Sequence, residues 1–180
     1  MDKIENISDN RFKVINGEKY LISNRRLTHQ RILYEIFETF RKYFKNKNYE
    51  PFLGQIDLIL DSDNKEIAKY IIKPDIMVIQ KEEYIKEDGI YGVPVLIVEI
   101  EVNATNYNKK KMKLYGKYGV KEYWIVDINK RLVKIYVLDN LNKYELISKI
   151  LFNGIVKSKI FNGLEVDLKN IDNNKFRISC

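Results

Sequence analysis

Apolar and polar positions along this chain keep two distinct periods, and each stretch declares its element by the period it follows. Between residues 28 and 46, Ile32, Leu33, Ile36, Phe37, Phe40, Tyr43 and Phe44 recur at helical spacing, with Arg31, Glu35, Glu38 and Lys42 on the other side. The stripe predicts an amphipathic helix, and Thr28 suits its N-cap. His29, the only histidine, opens this helix. A capping or surface role outweighs a place in an active site for it. Glu35 could approach a metal site from this helix, but it reads as part of a solvated face.

Residues 1–24 form a short lead-in, with Ile15-Asn16-Gly17-Glu18 as a turn and Tyr20-Leu21-Ile22 as a short strand. Residues 52–60 alternate as a strand that sets Gln55 and Asp57 on one face. After a turn at Asp61-Ser62-Asp63-Asn64, residues 68–79 return as its hairpin partner. Residues 81–92 read as a charged connection. The run Val93-Pro94-Val95-Leu96-Ile97-Val98 is a buried strand leading into Glu99. A second helix, capped by Asn103 or Thr105, reaches about Tyr118 and ends at Gly119. Strands at 122–127 and 132–138 follow as a hairpin, with further strand-like runs at 144–151 and 155–160. Residues 161–180 form a tail without a predicted element. The order helix, hairpin, strand, helix, strand and more strands predicts an α/β domain with a mixed central sheet flanked by helices.

The length of 180 residues fits one domain with a sizeable core. Hydrophobic and charged fractions of 45% and 32% are ordinary for a globular chain. No apolar run approaches the roughly 20 residues that span a bilayer, so no membrane partner is expected. The start Met1-Asp2-Lys3-Ile4-Glu5 lacks a secretory signal. Cys180 is the only cysteine, which excludes a disulfide framework and a thiolate metal site and points to the cytoplasm. The formal charge of +7 fits a polyanionic partner. Because the excess is mostly lysine beside abundant asparagine, compositional bias explains it equally well.

The chemistry gathers on a few acids. Asp75 interrupts one apolar run after Pro74, and Glu99 and Glu101 end another. Buried acids of this kind need a hydrogen-bonding partner, a counter-charge or a metal. By the two-residue strand period, Glu99 and Glu101 share one face. Asp75 and Glu99 offer hard oxygen ligands suited to Mg²⁺ or Mn²⁺, and structural ion pairing remains the alternative. Lys109, Lys110, Lys111 and Lys113 crowd the second helix, either as a solvated basic face or as phosphate contacts.

Several blocks carry a family likeness: Pro74-Asp75, Val98-Glu99-Ile100, Lys111 with Tyr115, and Gly119-Val120-Lys121-Glu122-Tyr123-Trp124-Ile125-Val126-Asp127. With Thr28-His29-Gln30-Arg31 they resemble the Uma-two family of restriction-endonuclease-like proteins, within the PD-(D/E)XK nuclease superfamily. The resemblance covers roughly residues 20–160. It implies a restriction-endonuclease-like mixed β-sheet flanked by helices, with additional C-terminal strands, in one domain over 1–180. It also implies a metal-dependent endonuclease hydrolysing phosphodiester bonds, in DNA first of all. By that likeness Asp75, Glu99 and Lys111 are catalytic, and Asp75 and Glu99 hold Mg²⁺ or Mn²⁺; the strand period, not the likeness, sets Glu101 beside them as a third candidate ligand. Lys109, Lys110 and Lys113 bind nucleic acid, and a homodimer is admissible. Glu101 departs from the superfamily pattern, in which a lysine commonly holds that place. The rival expectation is therefore a catalytically weak or inactive nucleic-acid-binding module that keeps the nuclease fold.

Overall fold

The structure is a computed structural model that describes residues 12–15, 18–21, 27–62, 64–80, 84–101 and 106–169. The elements run β1 (Phe12–Ile15), β2 (Glu18–Leu21), α1 (Leu27–Phe44), β3 (Tyr49–Leu53), β4 (Leu58–Ile59), β5 (Tyr70–Ile72) and β6 (Ile76–Gln80). There follow β7 (Ile85–Lys86), β8 (Gly89–Tyr91), β9 (Leu96–Glu101), α2 (Asn106–Tyr118) and β10 (Glu122–Asp127). The described chain closes with β11 (Leu132–Leu138), β12 (Tyr144–Leu151), β13 (Ile155–Lys157) and β14 (Glu165–Asp167).

A central sheet of order β12-β11-β10-β9-β6-β3 is mixed, because β9 and β10 run parallel while their outer neighbours are antiparallel. The parallel pair needs a crossover, and α2 supplies it. One face of the sheet buries Ile76, Val78, Leu96, Val98, Trp124 and Val126. The α1 stripe of Ile32, Leu33, Ile36, Phe40 and Phe44 packs on that face, as does the β13–β14 hairpin through Val156 and Val166. On the opposite face Met77, Ile79, Ile97, Tyr123 and Ile125 meet Leu114 and Tyr115 of α2. A second sheet, β2-β1-β5-β4-β8-β7, contributes Leu58, Tyr70, Ile72 and Ile90 to the same layer.

Three expectations need correction. Residues 52–60 and 68–79 are not one hairpin: β3 pairs with β6 in the central sheet, whereas β4 pairs with β5 in the other. Gly54 and Pro74 break the two runs, and the chain changes sheets at both breaks. The charged connection at 81–92 contains β7 and β8, which join the second sheet. The supposed tail is core as far as it is described, since Phe161, Leu164, Val166 and Leu168 are buried. Its alternation was short, and its fixing point lies at a distance: Glu122, fully buried, accepts from Ser158 Oγ (2.8 Å) and Ile160 N (3.0 Å) as well as Trp124 Nε1 (2.6 Å). The caps Asn103 and Thr105, and Cys180, lie outside the described residues. No helix among the described residues is long and apolar enough to cross a membrane.

Candidate active site

Asp75 stands just before β6 and Glu99 lies within β9. The antiparallel register Ile76↔Val98, continued by one residue, brings the two acids opposite each other. Pro74 ends the ladder there, having no N–H to give. The next amide along that edge of β9, Ile100 N–H, donates to Asp75 Oδ2 instead, at 2.8 Å. Asp75 is also tied from its backbone, whose carbonyl accepts Gly54 N–H at 2.9 Å. A Cβ on Gly54 would stand 2.3 Å from the Pro74 carbonyl oxygen, so the approach of β3 to this break requires glycine.

From the other side α2 delivers Lys111 and Tyr115, one turn apart on one helix face. Lys111 Nζ lies 2.5 Å from Glu99 Oε1, and Tyr115 OH donates to the same oxygen at 2.8 Å. The helix end fixes this face. Gly119 adopts φ +87°, its N–H meets Gly116 O, and Val120 N–H reaches back to Tyr115 O. Asp75, Glu99 and Lys111 are only 3–4% exposed.

Glu101 faces the same way as Glu99, as the strand period requires. Burial first, and then the charge of Glu99, push its carboxyl up to about 7, while Lys111, Asn108 and Lys134 act to lower it. Its Oε1 is buried with no hydrogen-bond partner among the described residues, and neither has Tyr123 OH. Burial, followed by the charges of Glu99 and Glu101, raises the Tyr123 hydroxyl well above its ordinary range. The site therefore combines three acids, one lysine and an apolar floor.

The structure thus brings together Asp75, Glu99, Glu101 and Lys111, while Lys109, Lys110 and Lys113 stand exposed along the outer side of α2. Glu35 is half-buried on α1. His29 requires a further correction. It is buried, and its Nε2 lies 3.2 Å from Asp75 Oδ2. The helix begins one residue before Thr28, so the histidine belongs to its first turn. A signal was present in the sequence, because His29 is in phase with Ile32, Leu33 and Ile36.

A divalent cation suits this donor set. Carboxylates are hard ligands, and the Glu101 oxygen that has no hydrogen-bond partner among the described residues stands near Glu99. Among the described residues no three His, Cys, Asp or Glu side chains form a ready ligand cluster.

The mixed central sheet flanked by α1 and α2 is a restriction-endonuclease-like fold. The chain belongs to the Uma2 family, whose model, described as "Putative restriction endonuclease", matches residues 1–169. A solved structure from Anabaena variabilis, described as "a putative nuclease belonging to DUF820", is similar with a TM-score of 0.71 and 16% identity. The match covers 91% of this chain and 90% of that one, and it shows the shared fold. No curated protein matches the sequence.

Proposed function

We propose that this protein is a divalent-metal-dependent endonuclease that hydrolyses phosphodiester bonds in DNA. The observation that carries the reading is the meeting of Asp75, Glu99 and Lys111 in one buried corner where β6, β9 and α2 converge. Asp75 and Glu99 would hold Mg²⁺ or Mn²⁺, with Glu101 alongside. When bound, such an ion supplies Lewis acidity toward the phosphodiester and makes water a stronger acid.

The protein's own groups divide the remaining work. Lys111 stands beside Glu99, where its ammonium would orient the attacking water and stabilise negative charge that develops on the phosphate. Tyr115 holds Glu99 Oε1 in place, so the carboxylate need not reorganise during the reaction. The apolar layer formed by Ile97, Ile125 and Leu114 lowers the local dielectric and strengthens these interactions. Lys109, Lys110 and Lys113 are exposed on the same helix, where they can meet the DNA backbone. One specific observation favours the rival reading of a binding module without turnover: Glu101 adds a carboxylate where a further cation would help catalysis.

Plasmid DNA incubated with the protein and Mg²⁺, Mn²⁺ or EDTA tests the proposal. Cleavage with either metal, its loss in EDTA and its loss in Asp75→Asn and Glu99→Gln are expected. DNA binding without cleavage under every metal condition would select the rival.

A further inference from the structure

We infer that His29 is a positioning residue for Asp75, and that through this contact it sets how tightly the site takes a divalent cation. The inference rests on the metal site proposed above. Asp75 Oδ2 accepts from two elements at once: Ile100 N–H of β9 at 2.8 Å, and the imidazole of α1, whose Nε2 lies at 3.2 Å. A donor that reaches Oδ2 from α1, in a direction different from the Ile100 N–H of β9, restricts the turning of the carboxylate about its own axis, and with it the presentation of the group toward Glu99.

A carboxylate oxygen can only accept in this pair, so the imidazole contributes its Nε2–H and the other ring nitrogen, Nδ1, is left over. Nδ1 is buried and finds no hydrogen-bond partner among the described residues. The ring is therefore anchored at one end only, and that end is Asp75. Packing alone would be served by an apolar side chain, which leaves no polar atom stranded. The donor also sits on a rigid support: Ile32 and Ile36, next along the same helix face, are wholly buried against the central sheet. Groups that orient metal-binding side chains commonly govern affinity by about 10–100-fold.

The test compares His29→Gln with His29→Met in the full chain. The two replacements have similar length and flexibility, but only glutamine presents an N–H toward Asp75. Mn²⁺ binding is measured by calorimetry, and thermal melts in EDTA report the fold independently. The expected result is glutamine within about threefold of wild type and methionine weaker by about 10–100-fold, with similar melts in EDTA. His29→Asn, whose amide stops short of Asp75, serves as a further variant and must share the methionine loss. Equal Mn²⁺ affinity in the glutamine and methionine proteins would overturn the role of His29 alone. Failure of wild type to take up Mn²⁺ would overturn the metal site, and the role of His29 with it.

Discussion

Lys111 Nζ and Glu99 Oε1 form a contact of 2.5 Å between two side chains that are each 4% exposed. Removing one partner of such a pair strands a charge in a poorly solvated place, at about 3–5 kcal/mol. Lys111→Ala is therefore expected to lose stability of that order in denaturant unfolding at neutral pH, and to cut slowly while retaining DNA affinity. The double variant Glu99→Gln, Lys111→Met should lose less than the sum of its single changes, because neither charge remains. Additive losses would show that the two groups are not coupled.

Lys109 is exposed on the same helix and should behave differently. Its replacement by alanine is expected to leave the melting temperature unchanged and to weaken DNA binding. The slope of log affinity against log salt should fall by up to about one contact's worth. An unchanged slope would remove Lys109 from the DNA-binding surface.

Gly54 controls Asp75 through the backbone. Gly54→Ala would push a methyl group into the Pro74 carbonyl, from 2.3 Å, and must displace the Pro74-Asp75 break. Loss of metal-induced stabilisation is expected in thermal melts, together with a lower melting temperature in EDTA. A metal response equal to that of wild type would show that the break absorbs the change.

Glu122 supports the fold rather than the chemistry. Its carboxylate satisfies donors from Trp124, Ser158, Lys159 and Ile160, and so fastens the segment that leads to β14. Hydrogen bonds to a charged group contribute about 1.5–3 kcal/mol each, and a donor left unpaired in the interior adds its own cost. Glu122→Ala should lose at least about 3 kcal/mol and raise hydrogen exchange across 158–168 before the central strands open. Uniform loss of protection across the sheet would contradict this local role.

The apolar stripe of α1 and the strand period of 96–101 follow local rules, so the sequence revealed both helices and the shared face of Glu99 and Glu101. Lys111 and Tyr115 were legible for the same reason, being one helical turn apart. The change of sheet at Gly54 and Pro74 was not, because nothing within 52–60 says which neighbours each half will pair with. Local sequence suits His29 to a cap or surface, because its partner lies 46 positions away. Glu122 stands out in the sequence only within a family block, since the donors that justify its burial come from a segment with weak patterning of its own.

Glu101 gives the site a pH signature. Its carboxyl titrates near 4.5 when unfolded and is raised to about 7 in the folded protein, chiefly by burial and then by Glu99. Between those values the folded state binds more protons than the unfolded state, so stability falls as pH rises. The loss begins above about 4.5, is complete above about 7, and amounts to at most about 3 kcal/mol. Below the window the group is neutral in both states and contributes no slope. Glu101→Gln should flatten this dependence in urea unfolding with EDTA present. Mg²⁺ added at about pH 8 should stabilise wild type by offsetting the crowded carboxylates, and should do so less in Glu101→Gln. Identical pH slopes in the two proteins would place the titrating charge elsewhere, and identical Mg²⁺ responses would place Glu101 outside the cation's reach.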